Sequence, residues 1–287
     1  MTEATLTTLL SRFSLRAGVF HAGKICGVHG VPEDSSQGQI HLVKRGPVRI
    51  IGLRNEMIEI AEPAIVFLPR PNTHRLVAND AAGADLVWGT VQFGGGARNP
   101  ITDSLPALVL VKVAALPGAG ALLDLTFEEA FSDRSGRQAA LNRLCEVLTI
   151  LLLRYCIDHG LIKQGTLAGL TDKRLAKALI AIHEDAARKW QLSDMAAMAG
   201  MSRARFAVRF REITGETPVD YLTSWRLATA QQLLKRGVPL KYIADDVGYA
   251  STSALTRAFL RKFGCSPSEW LKGEQGAGDP SKSETRG

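Results

Sequence analysis

Leu192-Ser193-Asp194-Met195-Ala196-Ala197-Met198-Ala199-Gly200 and Leu240-Lys241-Tyr242-Ile243-Ala244-Asp245-Asp246-Val247-Gly248 are two copies of one pattern, and they decide how the rest of the chain reads. Leu, Ala and Gly recur at steps of four, which puts the first two on one helical face and a turn-forming glycine at its end. After Gly200 come Ser202, Phe206 and Phe210, then Gly215-Glu216-Thr217-Pro218 and Tyr221-Leu222. After Gly248 come Ser251, Leu255 and Phe259, then Gly264-Cys265-Ser266-Pro267 and Trp270-Leu271. A short amphipathic helix, a glycine turn, a serine placed to cap the next helix and an apolar i, i+4 pair describe a helix-turn-helix. One copy is a weak signal. Two copies with matching GxTP and GxSP endings are specific.

The chain of 287 residues has room for two domains, and its 46% hydrophobic and 22% charged residues fit a globular protein. Charge is unevenly spread. Up to residue 170 there are 16 Lys and Arg against 15 Asp and Glu; beyond it there are 19 against 13, so +6 of the formal +7 falls on the part with the repeat. That bias suits a polyanionic partner, although it would equally serve solubility. No apolar run has the length of a membrane span, so no membrane partner is expected. Met1 to Ser14 shows no basic region followed by an apolar one, so a cytoplasmic, nucleoid-associated protein is expected. Four scattered cysteines make no disulfide framework.

The repeat resembles the DNA-binding domain of the AraC/XylS family of transcription regulators. The resemblance rests on Leu192, Met195-Ala196, Ala199-Gly200-Met201-Ser202-Arg203, Phe206, Arg209-Phe210, Gly215, Thr217-Pro218, Tyr221-Leu222 and Trp225-Arg226-Leu227. It continues through Ile243-Ala244, Val247-Gly248-Tyr249, Ser251, Ala258-Phe259, Phe263-Gly264 and Ser266-Pro267. It implies double-stranded promoter DNA and RNA polymerase as partners, and an effector-responsive activator as the function.

With Phe206 and Phe210 pointing inward, the opposite face of the first recognition helix carries Ala204 and Val208, flanked by Arg205, Arg211 and Glu212. Ala204 and Val208 can meet only a thymine methyl, which leaves polar readout there to Arg205. With Leu255 and Phe259 inward, the second helix presents Ser253 and Arg257, flanked by Thr252, Thr256 and Arg261. Arg257 can donate two hydrogen bonds to guanine O6 and N7. Arg203, Arg209, Lys241 and Lys262 are candidates for phosphate contacts, or ordinary solvated charges, with an intradomain ion pair as the alternative for Arg209. The family resemblance places base contacts on these same two faces. The segment Val219 to Leu234 reads as a helix linking the motifs, so that both recognition helices enter successive major grooves.

Upstream, residues 4–14 read as a short amphipathic helix through Leu6, Leu9, Leu10 and Phe13. Short β-branched runs follow: Gln39–Val43, Val48–Leu53, Ile58–Ile60, Ala64–Leu68, Leu86–Phe93 and Ala107–Val113, broken by Gly, Pro, Asn and Asp. Such spacing suggests a β-barrel or sandwich. Glu62-Pro63-Ala64-Ile65-Val66-Phe67-Leu68-Pro69-Arg70-Pro71 and His74, with His41-Leu42-Val43 and Gly46, resemble cupin-type sensor domains fused to AraC regulators. The expected fold is thus α+β and multidomain. Its parts are a cupin-like sensor over 1–118, a helical dimerisation segment over 119–160, a linker over 161–171, a double helix-turn-helix domain over 172–273 and a disordered tail over 274–287. In the helix at Gln138 to His159 the apolar run is wider than one stripe needs. Leu144, Leu148, Leu151 and Leu152 are therefore candidates for a homodimer interface, or for packing wholly within the chain.

The cupin resemblance implies a metal held by two His on one strand, an acid and a later His. Here Val43 stands where the second His would be, and His74 fits the later one. Cys26 or His29 could complete, with His41 and His74, an N/S set suited to zinc; otherwise these residues fill the barrel. Cys26, near Lys24, also admits a redox signal, against the alternative of an inert small hydrophobe. A small organic effector is the third reading. The rival function is a cupin-type metal-dependent enzyme with a helical appendage, and a second rival is a nucleoid protein without sequence preference. No catalytic constellation is visible, so a non-enzyme is expected.

Overall fold

The structure is a computed structural model that describes residues 6–7, 10, 14–31, 37–53, 56–94 and 99–276. Leu6, Thr7 and Leu10 are helical, while Leu9 and Phe13 of the expected N-terminal helix lie outside the described residues, as does most of the expected tail, 277–287. The chain forms two compact units, one over Leu6–Lys163 and one holding everything from Gln164 onward.

The first unit is built on two antiparallel sheets. One has five strands: β1 (Leu15–Ile25), β8 (Ala84–Phe93), β3 (Gly38–Arg45), β6 (Ala64–Leu68) and β9 (Val109–Lys112), in that spatial order. The other has four: β2 (Gly27–Gly30), β7 (Arg75–Ala78), β4 (Val48–Leu53) and β5 (Glu56–Ile60). Alternation explains which face is inward. On β4, Val48 and Ile50 are fully buried while Arg49 and Ile51 are exposed. Val43, Val66, Leu86 and Trp88 of the first sheet meet Ile50, Ile60 and Leu76 of the second in one core. β3 is buried on both faces, because Ile40 and Leu42 point away from that core.

Helices complete this unit. α1 (Pro100–Ser104) is capped by Asn99, whose side chain accepts from the Ile101 N–H. α2 (Ala119–Ala130) and α3 (Arg137–Asp158) follow, close to the expected bounds. Leu141, Cys145, Leu148, Leu152 and Cys156 recur at three and four residues and form the buried stripe of α3. α3 also covers an open sheet edge. Among the described residues β1 pairs only with β8, and on its other side Asn142 Oδ1 accepts from the Val19 N–H at 3.0 Å while Gln138 Nε2 donates to the Val19 carbonyl at 2.6 Å.

The second unit is all helical: α4 (Thr166–Thr171), α5 (Leu175–Glu184), α6 (Leu192–Met198), α7 (Arg203–Thr214), α8 (Pro218–Lys235), α9 (Leu240–Asp246), α10 (Thr252–Phe263) and α11 (Pro267–Gly276). Part of the stretch read as a linker is thus a helix, α4, with Thr166 to Leu170 buried. The two motifs are α6–α7 and α9–α10. Gly200 and Gly248 sit in the two turns at φ +62° and +80°, where a side chain would be strained. α8 serves both cores. Tyr221 and Trp225 stack with His183, and Tyr221 meets Phe210 edge to face, on the side of the first motif. Leu227, Ala230 and Leu234 pack with Ile243, Leu255 and Phe259 of the second.

Candidate nucleic-acid interface

The outer face of α7 is as the periodicity reads it. Phe206 and Phe210 are fully buried, and Ala204, Arg205 and Val208 are exposed, Val208 by 60%. Ala204, Arg205, Val208, Arg209 and Glu212 line one shallow depression. On α10, Leu255 and Phe259 are fully buried, Ser253, Arg257, Arg261 and Lys262 are exposed, and Thr252 and Thr256 are half-buried, with the Thr256 hydroxyl donating to the Thr252 carbonyl. Leu260, half exposed and one turn past Arg257, shares this face and was not among the expected residues. The same 100° count that selected Arg257 would have found it. A cleft of ≈ 650 Å³ has Arg211, Arg261 and Lys262 in its walls, together with Glu216 and Asp220.

The helix starts differ in one respect. Ser251 accepts from the Ala254 N–H at 3.2 Å and caps α10, but Ser202 makes no side-chain cap bond at α7. The GxTP and GxSP endings do behave alike. Thr217 accepts from the Asp220 N–H, and Ser266 from the Glu269 N–H, each starting a helix at the following proline.

Two phosphate candidates have partners inside the chain. Arg209 donates to Asp172 Oδ2 through Nε at 3.0 Å and through Nη2. Asp172 Oδ1 also accepts the N–H groups of Arg174 and Leu175, each at 3.0 Å. Burial works to raise this carboxyl, but the bonds from Leu175, Arg209 and Arg174 outweigh it and hold the pKa below its ordinary value. Lys262 Nζ donates to Glu216 Oε1 at 3.3 Å and to Ser224 Oγ at 3.0 Å, so its ammonium has two partners within the chain. Arg203 and Lys241 are exposed.

In the first unit the four residues considered for a metal fall into two pairs. His41 and His74 face each other across the core with Nε2 atoms 2.8 Å apart. His74 Nδ1 lies 3.3 Å from the Asn72 carbonyl, which fixes its proton there, makes its Nε2 the acceptor and makes His41 Nε2 the donor. Of the two facing nitrogens only His74 Nε2 then has a lone pair, and it accepts the His41 proton. Burial, with His74 adding to it, pushes His41 down to about 3. Burial also lowers His74, although its bond to Asn72 opposes this. Cys26 and His29 pair elsewhere, His29 Nε2 donating to the Cys26 carbonyl at 2.9 Å. Among the described residues no three His, Cys, Asp or Glu side chains gather as a metal site. The zinc set therefore does not fit, because the Cys26–His29 turn never reaches the His41–His74 pair.

What the core holds instead is a polar row. His21 and His41 lie directly opposite Trp88 on either side, and His21 stacks on the indole at 3.9 Å. His21 Nε2, His41 Nδ1, Asn72 Oδ1 and Trp88 Nε1 are buried without a hydrogen-bond partner. Trp88 is the residue sequence reading missed here; one tryptophan in a strand gives no sign of what stands opposite it.

The dimerisation candidates need correction. Leu148 and Leu152 are fully buried in their own chain, on the stripe that α3 turns inward, so neither can reach a partner. Leu144 and Leu151 are half-buried, and the neighbouring Val147 is 42% exposed.

Comparison with known protein families gives one match in each unit. A Cupin family model matches residues 4–158, and a helix-turn-helix domain model matches residues 195–273. An AraC-like transcription regulator of Streptomyces antibioticus is 31% identical over 94% of this chain and 97% of its own. The RCS-specific HTH-type transcriptional activator RclR of Escherichia coli K12 is 30% identical over 80% of this chain and 82% of its own. Among solved structures, the DNA-binding domain of AdpA in complex with a target DNA matches 35% of this chain and 92% of that domain at 30% identity, with a TM-score of 0.34.

Proposed function

The chain belongs to the AraC-like family of transcription regulators, and from that premise we propose that both of its helix-turn-helix motifs read bases. It is a DNA-binding transcription regulator. In the proposed mode α7 and α10 enter successive major grooves on one face of the duplex, since two motifs share the single helix α8. The observation that carries this is the pair of exposed faces, Ala204, Arg205 and Val208 on one helix and Ser253 and Arg257 on the other, each set opposite fully buried aromatic or aliphatic anchors. Arg257 would bond guanine, Val208 would meet a thymine methyl, and Arg203, Lys241 and Arg261 would hold phosphates. A non-sequence-specific nucleoid protein has no use for two differing faces, and the regulators among its relatives leave the cupin-type enzyme reading without support.

The first unit would sense the signal and the protein would activate, recruiting RNA polymerase in the cytoplasm. A small molecule carrying both a donor and an acceptor suits the row at His21, His41 and Trp88, where His21 Nε2, His41 Nδ1 and Trp88 Nε1 lack partners. A redox signal would fall on Cys26, which is exposed. Cys145 and Cys156 are buried, and burial pushes their thiols up to about 12 and about 11. A homodimer would use the outward stripe of α3 at Leu144, Val147 and Leu151. No helix among the described residues is long and apolar enough to cross a membrane.

Footprinting the full chain across the genome tests the reading. Discrete protected sites containing two boxes about one helical turn apart are the expected result. Protection without preferred sequence would reject it.

A further inference from the structure

Arg226 stands where three segments of the second unit meet. It lies half-buried on α8, between the faces that serve the two motifs. Its Nε donates to the Ala186 carbonyl at 2.8 Å and its Nη2 to the Arg188 carbonyl at 2.9 Å. Both acceptors belong to the turn that leads from α5 into α6, the start of the first motif. Its guanidinium also stands 5.7 Å from the centre of the Tyr249 ring, in the turn of the second motif. Next to Tyr249 is Gly248, where an added Cβ would lie 2.6 Å from the Ala187 carbonyl oxygen and 2.8 Å from Arg226 Nη2. The turn of the second motif thus rests against the entry of the first, with the guanidinium closing the joint.

The joint is stiff on its first-motif side. The Trp190 indole donates to the Asp185 carbonyl at 2.8 Å, the Arg188 N–H donates to Asp185 Oδ1 at 3.0 Å, and the Arg188 guanidinium covers the Trp190 ring at 4.5 Å. An arginine suits this place because its planar fork satisfies two carbonyls at once while its face meets an aromatic ring; lysine can do only part of this.

We propose that Arg226 is a positioning residue that sets the distance between the two recognition helices, and so the number of base pairs between the two boxes the protein accepts. This rests on the reading that both motifs touch bases. Without the fork, each motif keeps its own core, and its own base preference, but the angle between them loosens.

The test is binding of the full chain to duplexes carrying the selected boxes with zero, one or two base pairs added or removed between them. The wild type is expected to lose on the order of tenfold in affinity per base pair of misfit, comparable to one mismatched contact. Arg226→Met should shrink that loss to about two- to threefold while base preference within each box is unchanged, and Arg226→Lys should fall between. Arg226→Lys, which keeps charge and stem, carries the test if Arg226→Met fails to fold. An unchanged spacing penalty in a folded variant, or an equal loss of affinity at every spacing, would overturn the proposal. A wild type that selects only one box would overturn instead the functional reading beneath it.

Discussion

The two helix-turn-helix motifs share a scaffold and differ in their working faces. Each buries an i, i+4 pair, Phe206 with Phe210 and Leu255 with Phe259, and each ends its recognition helix at a glycine of positive φ, Gly215 and Gly264. Yet α7 exposes Ala204 and Val208 beside Arg205, while α10 exposes Ser253 and Arg257. Ser251 caps its helix and Ser202 does not. The lesson is that the repeat conserves what folding needs, the inward positions and the turn, and leaves the outward positions to carry different chemistry.

The largest expected effect tests the shared scaffold. Phe206→Ala and Phe259→Ala should each destabilise the second unit by about 3–5 kcal/mol in denaturant unfolding, because each opens a cavity at a fully buried site. A clear inequality between the two would break the symmetry claimed for the cores. Next comes Arg257→Ala, expected to cost ~1–3 kcal/mol at the specific site by titration and to relax preference at one base pair. An equal loss on unrelated DNA would make Arg257 a phosphate contact and erase the contrast with α7.

The Asp172–Arg209 tie joins α7 of the first motif to the start of α5. Asp172→Asn should cost on the order of 1 kcal/mol at neutral pH, through the weakened pair and the lost charge on two N–H bonds. Because the folded pKa of Asp172 lies below its unfolded value, its contribution is present above about pH 4 and disappears as pH falls through the folded value. Thermal melts from pH 7 to pH 2 should therefore show wild type and Asp172→Asn converging at the acid end; parallel curves would remove the pair from the account. Smallest is Val208→Ala, expected to weaken binding by roughly 0.5–1 kcal/mol, the worth of a lost methyl contact or so, and only where an A·T pair faces it.

Legibility followed the strength of local signals. Six strands were readable because they are β-branched runs between turn residues, as in Ala64–Leu68. β1, β2 and β7 were not. β1 mixes Arg16, Gly18, His21, Gly23 and Lys24 into its length, β2 is Gly27-Val28-His29-Gly30, and β7 has four residues, so none carries a clean period of two. The outward faces of α7 and α10 are legible because the buried pairs Phe206 with Phe210 and Leu255 with Phe259 fix each helix's phase. The partners of Arg209 and Lys262 were harder, since Asp172 and Glu216 lie 37 and 46 residues away. For Leu148 and Leu152 the sequence leaves both a partner and their own chain open, because an apolar run of Val147 to Leu153 does not say which side meets its own sheet. The separation of His41 and His74 from Cys26 and His29 depends on strand pairing, which no local pattern reveals.

The central claim is that the two motifs read DNA with different chemistry. Selection of binding sites from a random pool by the full chain, run side by side with wild type, Val208→Ala and Arg257→Ala, tests it most directly. The expected result is a two-box site in which Arg257→Ala loses a guanine preference in one box and leaves the other intact, while Val208→Ala relaxes only an A·T preference in that other box. Identical selected sequences from wild type and Arg257→Ala would contradict it.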